Sequence, residues 1–382
     1  MIDRRQLMRG AAALAAGSLA KPSRANVETG VTDSVIRVGQ SAVLSGKSSG
    51  LGLEMQQGIQ AYFKTVNRSG GVFDRTFELV SLDDGYEPRQ AVENTKKLIG
   101  EARVFALLGY TGTPTSKAAL PVFTDARVPF FGAFTGADVL RTPFNRLVFN
   151  CRASYVDEGP PIIKQLTTYS EDPKVALFVQ NDAYGDAVQA SIERALHARG
   201  LAPVVVAKVQ RNSENVSDAV EAISKSGATA VAMGSVYGAC AALMRGLRGR
   251  GVYPVYASVS FVGTSSLLAN VGDDAKGIGI SQVMPYPLSG TIPLTREYGQ
   301  AMAAEGYPLS YGSIEGFVAA KMFVAGVRHA GATLTRERFI TALESMGNHD
   351  LGGFNIEFTP TNHNGSRFTE MTVVGDNRRL LR

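Results

Sequence analysis

The stretch LLGYTGTPTSKAALPVF, Leu107–Phe123, decides how the rest of the chain is read. A short apolar run ends at Gly109, a hydroxyl-bearing turn follows, and a helix-like segment opens directly behind it. That is the signature of a buried strand delivering the chain into a helix. Thr113 suits the N-cap, Pro114 the first helical position, and Thr115 and Ser116 add further hydroxyls. The unpaired amides and positive end of such a helix would receive a carboxylate. Plain capping needs only Thr113 and no ligand, so the stretch alone leaves both readings open.

Working outward, the same grammar recurs. FFGAFTGADVL, Phe130–Leu140, puts Thr135 and Gly136 at the mouth of another strand, and LSGKSSGLG at Leu44–Gly52 is a short-side-chain loop behind the strand Val35–Leu44. Strands at Phe77–Leu82, Val104–Gly109 and Val128–Phe131 alternate with helical patterns up to about Arg152. The alternation restarts with a helix at Glu158–Tyr169 and strands at Val175–Gln180, Pro203–Val209, Ala228–Gly234, Val255–Ser258 and Ile278–Val283. Two such series predict an α/β protein of two lobes, each a mostly parallel sheet with helices on both faces. In open α/β sheets the ligand crevice lies at the carboxyl ends of the strands. Neighbouring hydroxyl turns there make a small carboxylate site the favoured reading. From Leu294 the chain is mainly helical, and Phe354–Phe358 with Thr369–Val374 reads as a closing hairpin.

The second series offers Gln180-Asn181-Asp182-Ala183-Tyr184-Gly185 and Gly234-Ser235-Val236-Tyr237 at strand ends. Tyr184 could lie over a ligand while Asp182 orients a polar group, because tyrosine supplies rigid amphipathic area; the plainer reading makes these residues caps. Gly46-Lys47-Ser48 is not a nucleotide loop, because Ala42 stands where that loop needs a glycine. No histidine neighbours a suitable nucleophile. Asp83-Asp84 reads more simply as helix-entry acids than as an acid–base pair. An enzyme is therefore not expected, and neither is a cofactor or a metal, the four histidines and two cysteines being scattered.

The formal net charge of +5 in 382 residues is mostly local. Residues 1–25 hold Arg4, Arg5, Arg9, Lys21 and Arg24 against Asp3, leaving 34 basic and 33 acidic side chains elsewhere. That near-neutral body gives no footprint for nucleic acid. MIDRRQLMRG, the apolar run after it and Ser23-Arg24-Ala25 have the layout of an export signal, with a twin-arginine pair at Arg4-Arg5. Export to the periplasm as a soluble protein is expected. Cys151 and Cys240 allow a bridge or two separately buried thiols.

Together with IRVGQSAVLSG (Ile36–Gly46), FNCRASYVDEG (Phe149–Gly159), VSFVGTSSL (Val259–Leu267) and DLGGF (Asp350–Phe354), these stretches resemble the branched-chain-amino-acid type of ABC-transporter solute-binding proteins, with the type I periplasmic-binding fold. The resemblance runs in order from about Val35 to Arg379. It implies two lobes joined by three crossovers, residues 34–152 with 281–352 and residues 153–280 with 353–382. It also implies a solute enclosed between them and an ABC permease as membrane partner, with the protein acting as a monomer. The family's contact positions fall at Leu51, Thr113, Thr135, Tyr155, Tyr184 and either Val236 or Tyr237, with Thr115 and Asp182 as further candidates. Where amino-acid binders carry an acid for the ligand's ammonium, this chain has Ser260; Asp182 or Asp157 would have to substitute. The expected solute is a small organic carboxylate or an amino acid. A ligand-sensing receptor module and a secreted α/β hydrolase are the competing readings.

Overall fold

The structure, a computed structural model, describes residues 28–168 and 170–382. The leader read as an export signal, residues 1–25, lies outside the described residues. The first series forms β1 (Val35–Ala42), α1 (Ser49–Arg68), β2 (Thr76–Asp83), α2 (Pro88–Gly100), β3 (Ala106–Leu108), α3 (Thr113–Asp125), β4 (Phe130–Phe131) and β5 (Val148–Phe149). These strands make a wholly parallel sheet in the order β2-β1-β3-β4-β5. Successive strand residues face opposite sides. Leu107 and Phe130 accordingly join Leu98 and Phe123 under α2 and α3, while Leu108 and Phe131 join the core under α1.

The second series forms α4 (Tyr155–Thr167), β6 (Val175–Gln180), α5 (Ala183–His197), β7 (Val205–Val209), α6 (Ser217–Lys225), β8 (Ala230–Gly234), α7 (Tyr237–Gly249), β9 (Val255–Ser258), α8 (Thr264–Val271) and β10 (Gly279–Gln282). Every residue of β6 is buried, as a central parallel strand covered on both faces requires. The chain then continues as α9 (Pro293–Glu305), α10 (Tyr311–Ala330), α11 (Arg336–Ser345), β11 (Gly347–Asp350), β12 (Asn355–Phe358), β13 (Glu370–Val374) and β14 (Leu380–Leu381). The second sheet runs β14-β13-β10-β9-β8-β6-β7, antiparallel only at β10–β13 and β13–β14.

The late helices cover the first sheet. Phe323 of α10 meets Phe105 and Phe131, and Phe317 meets Tyr62 edge-on at 4.9 Å. α1 and α10 touch through backbone, since a Cβ on Gly58 would fall 1.8 Å from the carbonyl of Ser313. Three differences from the sequence reading stand out. The Phe354–Phe358 segment does not pair with Thr369–Val374: β12 pairs with β11, and its Phe358 packs on Phe131 and Phe149 of the first lobe. Only β13 and β14 return to the second sheet. The division at residue 281 would cut β10, which lies wholly in the second sheet, so the middle crossover begins after Gln282. α4 starts at Tyr155, ahead of the expected Glu158, because Ser154 and Asp157 form a reciprocal capping box. Cys151 and Cys240 are both buried and free.

Candidate functional site

The strand ends of the two sheets face each other, and the lobes are closed across them. Tyr237 Oη accepts from the Gly50 amide at 3.3 Å, and Gln180 Nε2 donates to Tyr86 Oη at 3.4 Å. At the rim, Arg211 pairs with Glu87 at 2.8 Å and Asn212 Nδ2 donates to the Gly85 carbonyl at 3.0 Å.

On the first lobe, the N-cap of α3 is Gly112 rather than Thr113. Its φ of +97° favours glycine, and an added Cβ would meet Tyr86 Cε2 at 2.2 Å, so the tyrosine ring lies directly on the turn. Thr113 becomes the first helical residue, with its hydroxyl free of capping. That hydroxyl lies 2.6 Å from Thr135 Oγ1, which donates to Tyr155 Oη at 3.3 Å. All three residues are buried. Thr115 is used differently: its hydroxyl donates to the carbonyls of Thr111 (2.5 Å) and Gly112 (3.0 Å), which ties it to its own turn. The hydroxyls of Thr111 and Ser116 are buried without a partner.

On the second lobe, Tyr184 is fully buried between Phe261 (4.9 Å between centroids) and Tyr155 (5.7 Å), and its hydroxyl has no partner. Burial drives its acidity well below that of a free phenol. Asp182 uses its carboxylate within the protein. It caps α5 by accepting from the Tyr184 amide at 3.0 Å, and its other oxygen accepts from Gln180 and Arg211. The Ser235 hydroxyl is another buried group without a partner. Leu51 and Tyr237 converge on Gly263, where a Cβ would lie 2.7 Å from Leu51 and 3.0 Å from Tyr237.

Ser260 sits in a charged network that the sequence reading did not contain. Its amide and hydroxyl donate to Glu158 at 2.7 and 3.0 Å, and its hydroxyl accepts from Arg152. Arg152 also pairs with Glu158 at 2.8 Å and with Glu315 of α10 at 3.4 Å, all three side chains being under 5% exposed. Burial raises the Glu315 carboxyl to about 7, against the pull of Arg152. Asp157, the other proposed substitute for an acid at position 260, is engaged at the α4 cap.

Tyr86, Phe134 and Phe261 were also missed. Phe261 packs on Phe134 at 5.1 Å and Tyr86 at 6.3 Å, an apolar contact of the second lobe with the first. Two signals were available: one carboxylate in the apolar run of α10, and an arginine between the apolar residues of the first crossover. Isolated charges in such settings are ordinarily paired.

Among known proteins, the family described as periplasmic binding protein matches residues 35–377. A Leu/Ile/Val-binding protein homolog of Brucella melitensis is 21% identical over 302 residues, covering 78% of this chain and 80% of that protein. A crystal structure described as a possible leucine/isoleucine/valine-binding protein from Rhodopirellula baltica is 33% identical, covers 93% of this chain and 98% of its own, and superposes with a TM-score of 0.87. A substrate-binding periplasmic protein from Ralstonia solanacearum is also 33% identical, with a TM-score of 0.86 over 91% of this chain and 99% of its own.

Proposed function

We propose that this chain, which belongs to the periplasmic binding protein family, encloses a small organic carboxylate between its lobes and delivers it to an ABC permease from the periplasm. The family and fold are those of solute-binding proteins rather than enzymes. The observation that carries the carboxylate reading is the hydroxyl pair Thr113–Thr135 at the amino end of α3, 2.6 Å apart and buried. Buried hydroxyls of Ser116 in α3, Tyr184 in α5 and Ser235 after β8 have no partner. Buried polar groups in native proteins are almost always satisfied, so several at the strand ends of the two sheets support the reading that a ligand supplies the missing bonds.

Mechanistically, the helix end and the two threonines hold the anionic group while the aromatic wall of Tyr86, Phe134, Tyr155, Tyr184 and Phe261 covers the organic part. Closure desolvates those hydrogen bonds and adds the Tyr237–Gly50 and Arg211–Glu87 contacts across the rim. A permease then distinguishes the closed, loaded form from the open one, and a monomer suffices for the cycle. The test is a thermal-shift and calorimetric screen of amino acids and organic acids on protein stripped of solute by unfolding and refolding. Stabilisation by carboxylates, lost when the same compounds are supplied as amides or esters, is the expected outcome. A folded protein that answers to no carboxylate defeats the proposal.

A further inference from the structure

We propose that the polar cavity behind the crossovers, walled by Arg141 of the first lobe, Arg194 of the second and Arg367 of the last crossover, is a binding site for a phosphate group. The site lies outside the solute cleft, and an anion held there bridges the two lobes.

The cavity holds about 400 Å³, and its lining sets three arginines against two aspartates, Asp138 and Asp157. The first and last crossovers run side by side along it: the Asn150 amide donates to the His363 carbonyl at 2.9 Å, and the Gly365 amide to the Asn150 carbonyl at 2.8 Å. Tyr155 turns its ring toward the cleft, 5.7 Å from that of Tyr184, while its neighbours Ser154 and Val156 line the cavity. The entry to α4 therefore separates cleft from cavity.

Arg141 carries the argument. Its guanidinium donates to the carbonyls of Ala137 (3.0 Å), Arg152 (3.1 Å) and Ala153 (3.5 Å) and to no carboxylate among the described residues. Burial, and then the charge of Arg152, push its pKa down to about 10, as befits a cation short of counter-charge. Arg152, by contrast, has Glu158 and Glu315 on the cleft side. The aspartates of the lining do not restore the balance. Asp157 is spent on the Ser154 amide and hydroxyl and on Arg367, and Asp138 acts on Arg141 only through space. Arg194 is exposed and has no ion-pair partner among the described residues. An anion in the cavity relieves a buried cation left in this state.

The amides beside the arginines have the same sense. Asn362 and Asn364 spend their side-chain oxygens on the Asn364 amide (3.0 Å) and on Asn150 Nδ2 (3.2 Å), which leaves each an NH₂ group to donate. Guanidinium forks from separate elements suit the tetrahedral oxygens of a phosphate better than the single plane of a carboxylate. Because Arg141 and Arg194 belong to different lobes, an anion between them favours the lobe separation described above, with the cleft closed.

The experiment titrates sodium phosphate into solute-stripped protein by calorimetry at pH 7.5, against sodium chloride at matched ionic strength. Saturable binding of phosphate is expected, weakened about tenfold by Arg194→Gln and by Arg367→Gln. Both side chains are exposed, so neither change threatens the fold. Arg89→Gln, an exposed arginine of α2 outside the cavity, should leave the affinity unchanged. Small-angle scattering should show phosphate shifting the stripped protein toward the smaller radius of the closed form. Glycerol 3-phosphate titrated in parallel distinguishes a phosphate ester from the free ion as the natural ligand, and tighter binding of either supports the site. Absence of phosphate binding, or wild-type affinity in both cavity variants, overturns it. Equal weakening by Arg89→Gln reduces the effect to general attraction by surface charge and also overturns it. Binding with an unchanged radius overturns the bridging of the lobes.

Discussion

Replacing Arg152 by methionine should destabilise the protein by about 3–5 kcal/mol at pH 8, because it strands buried carboxylates without their counter-charge. Arg152 is 1% exposed, Glu158 is fully buried, and Glu315 is 4% exposed at its side chain. Without the guanidinium, Glu158 retains only the Ser260 amide at 2.7 Å and hydroxyl at 3.0 Å. Those bonds soften the loss but supply no charge. Glu315, raised to about 7, is ionised at pH 8 and protonated at pH 6. The loss should therefore be larger at pH 8, where the ionised Glu315 loses its counter-charge. The double variant Arg152→Met/Glu158→Gln should be less destabilised than the sum of its single variants, by at least about 1 kcal/mol. Urea unfolding followed by circular dichroism and tyrosine fluorescence, the chain having no tryptophan, measures each value. A loss below about 1 kcal/mol for Arg152→Met, or strict additivity in the cycle, would refute the network as the charged centre of the crossover.

Three further outcomes are expected. Thr113→Val should weaken a carboxylate solute by about 1–3 kcal/mol in calorimetry, since it deletes one member of a buried hydroxyl pair; unchanged affinity removes Thr113 from the site. Gly112→Ala should destabilise by about 1–3 kcal/mol, because a side chain at φ +97° is strained and meets the Tyr86 ring; an unaltered urea midpoint would show that Tyr86 moves freely off the turn. Burial holds the folded pKa of Glu315 (about 7) and Asp84 (about 6) above unfolded values near 4, so between these limits the native state binds more protons than the unfolded one. Their contribution to stability is accordingly greatest at low pH and declines as pH rises through 6 to 7. Glu315→Gln should flatten that decline in pH-dependent unfolding, and an identical slope would contradict the assignment.

The architecture was legible because each lobe is built from local units. Leu107–Phe123 reads as strand, turn and helix, and burial of β6 on both faces is written in its uninterrupted apolar run. Thr113, Thr135, Tyr155 and Tyr184 come together because residues at the ends of parallel strands meet whatever the distances between them in sequence. Thr115 and Asp182 bond within their own turns for one reason: a hydroxyl or carboxylate at a helix start is claimed first by the nearest backbone groups. The Arg152–Glu158–Glu315 network was hidden because its members come from a crossover and from helices of both lobes. The end of the chain misled for a comparable reason. Phe354–Phe358 and Glu370–Val374 have strand composition, but β12 is drawn to the phenylalanines of the first lobe and β13 to the open edge of β10.

The most direct measurement is the structure of the protein with the solute that copurifies with it, identified by mass spectrometry of the same sample. The account predicts a carboxylate-bearing compound between the lobes, with one carboxylate oxygen about 3 Å from Thr113 Oγ1 and its organic part against Tyr184 and Phe261. A solute without an acidic group, or one bound away from the end of α3, would contradict it.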